Sequence, residues 1–295
     1  MELDTVIIGH ATVDINILPH GIIENVLGGA PTYAGFAATT LGDETGIVAK
    51  IGKDFPDQFP PLFSKFGLNT EGILATSGQT TKFENTYTED GGRTQKCKEV
   101  ADAIGPGDIP QAYLGADGFY VSPVMNEVTP ETMNKLSESD GLVMFDPQGL
   151  FRNMTEDDEL EIEVPSDLEE YLKEVDVLKV GKDEFEAFER SEDEVLNHLC
   201  EMGPEVCILT LGEKGCKVLV DGEITHIDSL DVKAEDLTGA GDVFGAAFLS
   251  RYVDSKNALK SARFGTAAAG LKIEYKGPTG FPSEDEVSDA MKEHY

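Results

Sequence analysis

Residues Asp236-Leu237-Thr238-Gly239-Ala240-Gly241-Asp242 place three of the smallest side chains directly before an acid. The next stretch, VFGAAFLSRYV, carries Phe244, Ala247, Phe248 and Arg251 at i, i+3, i+4 and i+7, the period of a helix. A loop that opens straight into a helix aims the unpaired N–H groups of the first turn at one point. The helix dipole adds partial positive charge there, and anions bind at such ends. Gly239, Ala240 and Gly241 put no bulk in the way, so a phosphoryl group can approach the backbone. Asp242 is the oddity, an acid where an anion would bind. One reading is a helix-start carboxylate that satisfies N–H groups. The other is a base placed to take a proton from a hydroxyl attacking a phosphoryl group. Phosphoryl transfer asks mainly for positioning, charge stabilisation and one residue to orient the nucleophile. An anion hole beside a carboxylate supplies these.

Other phosphoryl-transfer frameworks are excluded. The chain has no GxxxxGK[ST], and no Gly-rich loop joined to a strand lysine and a catalytic HRD loop. Cys97, Cys200, Cys207 and Cys216 form no CxxC pair and no Cys/His cluster with zinc spacing. Cys207 and Cys216 lie in apolar runs and read as small buried hydrophobes.

Short apolar runs alternate with longer segments of helical period. Thr5–Gly9, Ile47–Ile51, Gly118–Ser122, Leu142–Phe145, Val177–Val180 and Val206–Leu211 read as strands. Gly28–Leu41, Pro130–Ser137, Ser166–Val175, Asp183–Arg190 and Glu192–Met202 read as helices. Continuous apolar strands separated by helices predict a mostly parallel sheet covered on both faces. Two regions depart from this. Val13–Leu18 and Ile22–Val26 flank the turn Pro19-His20-Gly21, and Lys82–Glu89 and Arg93–Val100 flank the hairpin signal Asp90-Gly91-Gly92. These half-polar strands predict a small sheet off the main one, a lid built from about 12–27 and 82–100, within a single domain spanning 1–295. The acidic run Thr155–Glu163 is expected to be a solvated surface loop.

Lys plus Arg is 23 against 56 Asp plus Glu, a formal net charge of −33. Nucleic acid is disfavoured as a partner, because its phosphates would be repelled. Such self-repulsion destabilises a compact chain at low salt and is screened at high salt. The composition therefore fits a halophilic setting, or else an acidic protein of an ordinary cell. No apolar run reaches the roughly 18 residues of a membrane helix. Met1–Asp4 lacks the basic region of a secretory leader, and a cytoplasmic location is expected.

DLTGAGDVFGAAFL (236–249) resembles the C-terminal signature of the ribokinase-like (PfkB) carbohydrate kinases, D-T-x-G-A-G-D. Further segments agree in order: GHATVDI (9–15), LGGAPTYAGFAATTLG (27–42), ILTLGEKG (208–215) and FGTAAAGLKIEYKGPTG (264–280). The resemblance spans essentially the whole chain. It implies a three-layer α/β/α ribokinase-like fold with a mostly parallel central sheet and a small β lid. It also implies an ATP- and Mg²⁺-dependent kinase acting on a hydroxyl of a sugar or inositol-like polyol. A nucleoside kinase, or a non-catalytic sugar-binding protein on the same fold, stays open.

By this resemblance Asp242 is the base, with Gly239, Ala240 and Gly241 as anion hole. Asp14 binds substrate hydroxyls, and Gly28 and Gly29 let the substrate near the backbone. Thr210, Gly212 and Gly215 line the ATP phosphates or ribose, and Thr266 and Ala267 face adenine. Glu184 organises Mg²⁺ through water. Backbone near Asp236 and Thr238 could hold a monovalent cation such as K⁺, and lids of the family often pair into homodimers. Three features set this chain apart. Gly181 replaces the Asn of the family's N-x-x-E motif. Tyr33 stands where ribokinases carry an Asn after the GG pair, which disfavours D-ribose. Asp146-Pro147-Gln148-Gly149 with Arg152 resembles a DxQ…R segment of inositol kinases. Arg152 could orient a hydroxyl or a phosphoryl oxygen, or simply pair with nearby acids. Glu84, Tyr87, Arg93 and Gln95 sit on the expected lid.

Overall fold

In the computed structural model, residues 2–88 and 93–295 are described. The Asp90-Gly91-Gly92 turn lies outside them. In chain order the strands are β1 (Thr5–Ile8), β2 (Thr12–Leu18), β3 (Gly21–Gly28), β4 (Thr45–Ile51), β5 (Asn69–Ala75), β6 (Lys82–Tyr87), β7 (Arg93–Glu99), β8 (Gly118–Val121), β9 (Leu142–Phe145), β10 (Arg152–Met154), β11 (Leu160–Ile162), β12 (Val177–Val180), β13 (Val206–Thr210), β14 (Cys216–Val220) and β15 (Glu223–Ile227). The helices are α1 (Ala30–Leu41), α2 (Pro60–Lys65), α3 (Pro130–Ser137), α4 (Leu168–Leu172), α5 (Lys182–Glu186), α6 (Glu192–Cys200), α7 (Ala240–Ser255), α8 (Ala258–Lys272) and α9 (Glu284–His294).

The main sheet runs β15-β14-β13-β12-β9-β8-β1-β4-β5. From β13 to β5 every pairing is parallel, and β14 is antiparallel to both β13 and β15. Successive side chains point to opposite faces of a strand, so apolar strands feed two cores. Ile7, Ile47, Met144, Val177 and Ile208 join α1, α7 and α8 in one core. Val6, Ile8, Val143, Leu178 and Cys207 join α3, α4 and α6 in the other. That is a helix–sheet–helix layering, and it agrees with the layers expected from the sequence.

β2, β3, β6 and β7 form a separate sheet, ordered β3-β2-β6-β7. The two hairpins expected from the sequence meet through a parallel β2–β6 pairing. The acidic run is not simply a solvated loop. Leu160 and Ile162 alternate with acids, and 160–162 pairs with Arg152–Met154 as a ribbon. This ribbon meets the small sheet's edge. The Cys97 N–H donates to the Asp158 carbonyl at 2.9 Å, and Lys98 and Lys96 pair with Asp158 at 2.7 Å and Glu159 at 3.5 Å. The lysines of β7 meet the acid excess of the run.

The chain leaves β1 for β4 and β5 on one side, then returns to β8 on the other side of β1. Ligands of open α/β sheets bind at such a switch point, beyond the carboxyl ends of the strands. Ser122, Asp146, Gly181 and Thr210 lie at or just beyond the carboxyl ends of β8, β9, β12 and β13, and Asp14 lies in β2, the strand that follows β1.

Candidate active site

Gly239 turns the chain into α7 with φ 76° and ψ 3°, the left-handed region open to glycine. A β-carbon there would overlap the Tyr33 ring of α1. No side chain caps α7. The Ala240 N–H donates to the Leu237 carbonyl at 3.2 Å, and Gly241 and Asp242 of the first turn line the cleft. Just before the bend, the two Asp236 carboxylate oxygens accept the N–H of Thr238 at 2.9 Å and of Gly277 at 2.8 Å. Burial raises the Asp236 pKa. Hydrogen bonds from Thr238 and Gly277, with the charge of Lys272, more than reverse this and leave it below the ordinary value.

Asp242, in the first turn of α7, lies at the cleft floor. Ser122 Oγ and Gln148 Nε2 each donate to Oδ1 at 3.4 Å. Gln148 also donates to Ser122 at 3.0 Å and accepts from Arg152 at 3.1 Å. Arg152 is fixed further by the Val124 carbonyl at 3.0 Å and lies 5.7 Å from the Phe83 ring centroid. Beneath Asp242, Asp146 accepts from Lys179 at 2.5 Å and from Tyr120 at 2.9 Å. Desolvation first, and then the Asp146 charge, push the Asp242 carboxyl from 3.8 up to about 6 against the pull of Lys179 and Arg152. A base poised near neutral pH suits proton transfer. Lys179 is 4 % exposed. Burial would lower its pKa, but Asp146, with Asp242 and Glu184, outweighs this and keeps the ammonium charged.

On one side of Asp242 lies a cavity of about 350 Å³, whose walls include Asp14, Gly29, Tyr33, Phe83 and Arg152. That is at the small end of ligand sites. The two glycines of the GG pair line it and also settle its packing. A β-carbon on Gly28 would press on Thr12 Oγ1 and Asp14 Oδ2, and one on Gly29 would strike the His10 carbonyl. Above it, Gln95 donates to Asn85 at 2.8 Å and Asn85 to Asn16 at 3.1 Å.

On the other side of Gly241 is a cavity of about 1080 Å³. Thr210, Gly212, Gly215 and Thr266 line it, with an apolar end formed by Leu230, Phe244 and Ile273. Ala267 is turned into the core instead, and Ala269 and Gly270 line the cavity one turn on. Glu184 stands beside the smaller cavity, 8 % exposed, its pKa raised by burial and by Asp146. A β-carbon on Gly181 would overlap the Glu184 carboxylate. The glycine thus lets Glu184 fold back over the start of α5, where the family's Asn side chain would stand.

The profile of pfkB family carbohydrate kinases matches residues 4–285. The chain belongs to this family. It is 30 % identical over 283 residues to a cytidine kinase of Thermococcus kodakarensis, covering 90 % of this chain and 95 % of that one. It is 26 % identical over 284 residues to an inositol 3-kinase of Arabidopsis thaliana, covering 93 % and 75 %. Among solved structures, a pyrophosphate-dependent kinase of the ribokinase family, complexed with a pyrophosphate analogue and myo-inositol, superposes with a TM-score of 0.82 at 22 % identity over 97 % of this chain and 99 % of that one. Thermotoga maritima ribokinase superposes with a TM-score of 0.80 at 23 % identity over 98 % and 99 %. The protein is therefore a ribokinase-fold phosphotransferase.

In this pfkB kinase the bend, Asp14, Arg152 and Glu184 gather on one cleft, with Thr210, Gly212, Gly215 and Thr266 lining the adjoining cavity. Sequence reading passed over Lys179 and Ser122. Ser122 carried no signal, as one serine after an apolar strand. Lys179 did carry one: a lysine inside VLKV, whose other members are buried on both faces. Val177 and Lys179 share the face that α7 covers, which aims the ammonium at Gly241.

Proposed function

We propose that this kinase transfers the γ-phosphoryl group of ATP to a hydroxyl of a small polyol, a sugar or an inositol-like ring, with Asp242 as base. The observation that carries the reading is the Asp242 carboxylate, in the wall of the smaller cavity and next to Gly241, which lines both cavities at the start of α7; burial raises its pKa to about 6. The acceptor oxygen bonds to the γ-phosphorus as its proton passes to Asp242. The bond from γ-phosphorus to the bridging oxygen breaks, and that electron pair leaves with ADP. The N–H groups of the Gly239–Gly241 bend other than that of Ala240, which donates to the Leu237 carbonyl, stabilise the charge on the transferring oxygens. Asp14 and Arg152 would orient the acceptor.

The donor cavity supports a nucleotide rather than pyrophosphate alone, since its apolar end suits a base. Among the described residues, no cluster of three or more His, Cys, Asp or Glu side chains is arranged to hold a metal directly. Glu184, a buried carboxylate on the wall of the smaller cavity, fits a Mg²⁺ held largely by phosphates and water. The ion would neutralise phosphate charge.

The sheet of β2, β3, β6 and β7 would act as a lid that excludes water from the reaction. Ile22 and Ile23 on its edge strand β3 are 63 % and 51 % exposed, which supports pairing of two lids in a homodimer. Among the described residues, no helix is long and apolar enough to cross a membrane. Use of ATP supports a cytoplasmic site of action.

A second reading, a nucleoside acceptor, is favoured by the 30 % identity to a cytidine kinase. Coupled ADP release with ATP in molar KCl, across sugars, inositols and nucleosides, decides between them. Turnover only with nucleosides would replace the polyol reading, and turnover only with pyrophosphate as donor would replace ATP.

A further inference from the structure

Lys272, the last residue of α8, is 0 % exposed. Its ammonium donates to the Tyr275 carbonyl at 3.1 Å and lies 5.8 Å from the Tyr33 ring centroid and 5.7 Å from that of Phe281. Among the described residues no carboxylate forms an ion pair with it; burial holds its pKa below the ordinary lysine value, and the Asp236 charge opposes this only in part. A buried charge persists only where fixed dipoles or an opposite charge compensate it. Here a carbonyl, two ring faces and a nearby carboxylate offset part of the cost of burial.

The ammonium sits at the back of the anion hole. Tyr33, over which it lies, is the ring that Gly239 abuts. Asp236, whose charge it feels, holds the N–H groups of Thr238 and Gly277. The N–H groups of Glu235 and Asp236 donate to the Ile273 carbonyl at 2.8 and 3.1 Å. The bend before α7 and the 273–281 segment are therefore tied together around Lys272. This neighbourhood does not fit the monovalent cation expected near Asp236 and Thr238. Both Asp236 oxygens already accept N–H groups, and a fixed positive charge is already buried alongside.

We propose that Lys272 is a positioning residue, an internal counter-ion that holds the Asp236–Gly241 bend in its anion-binding shape without a monovalent cation from solution. This rests on the reading of the bend as the phosphate site. The geometry acts through charge rather than bulk, so a neutral side chain of similar length does not replace it.

The test compares KCl with tetramethylammonium chloride at one ionic strength, which keeps screening constant. ATP affinity is read by calorimetry and turnover by ADP release. For the wild type we expect both to agree within about twofold between the salts. For Lys272→Ala, which opens space, we expect ATP affinity and turnover at least about tenfold lower in tetramethylammonium, with substantial recovery in KCl or NH₄Cl. Lys272→Met, which fills the space without charge, should stay impaired in both salts. A wild type that needs K⁺ for tight ATP binding overturns the proposal even if neither variant folds. So does a Lys272→Met enzyme as active as the wild type. Wild-type ATP binding with no turnover on any acceptor would count against the kinase reading instead, and the cation comparison would still be read from the affinity.

Discussion

Asp242→Asn separates a base from a helix cap, because the two roles move activity and stability in different directions. As a base, Asp242 should carry about 10²–10⁴ of the turnover, the usual share of a positioned proton acceptor. Its effect on stability follows from linkage. The carboxyl titrates near 3.8 when unfolded and near 6 in the folded cleft. Between those values the native state binds the proton more tightly, so stability falls as pH rises through the window and stays lowered above it. The rise corresponds to at most about 3 kcal/mol at pH 7.5. Water reaching the cleft reduces this, and a gain of about 1–3 kcal/mol is expected for Asp242→Asn at pH 7.5. About half of it should remain at pH 5, and about a fifth near pH 4. Urea unfolding in molar KCl measures the stability, ADP release the turnover. The wild-type kcat/KM should fall on the acid side of about pH 6, as the base becomes protonated. A variant that keeps a tenth of wild-type turnover, or that is less stable at pH 7.5, would show that the carboxylate serves the helix end and not the reaction.

Lys179→Met removes one partner of the buried Lys179–Asp146 pair and should cost about 3–5 kcal/mol; adding Asp146→Asn should recover part of it in urea unfolding, and no recovery would mean that the pair is not coupled. Gly239→Ala should lose about 2 kcal/mol or more, since it adds left-handed strain of roughly 1–2 kcal/mol and an overlap with Tyr33. Gly241→Ala meets only the flexible end of Lys179, 3.0 Å away, and should unfold closer to wild type. A net charge of −33 predicts that the unfolding midpoint rises from low to molar KCl, and a flat midpoint would refute a stabilising role for salt screening.

What was legible from sequence was whatever depends on local pattern. The alternation of apolar strands with helices gave the layers, because each strand buries both faces and must be covered twice. The DLTGAGD bend was legible because small residues before a helix have few structural reasons to be there. The β14–β15 hairpin was readable in principle from Asp221-Gly222, both left-handed with φ 52° and 77°, yet it was not singled out among the apolar runs. The acidic run could not be resolved by charge alone, since its partners, Lys96 and Lys98, lie about sixty residues away in the chain. The same limit explains the two buried lysines. Lys179 and Lys272 each look like ordinary polar interruptions, one in a strand and one at the end of a helix. What gives them meaning is the acid each faces, Asp146 and Asp236, brought there by strand order and by the packing of α8 beneath the bend. A lone charge in an otherwise buried segment is costly unless compensated. Its presence in VLKV or at the close of α8 therefore implies an opposite charge nearby in space. The sequence names the lysine, and only the fold names its acid.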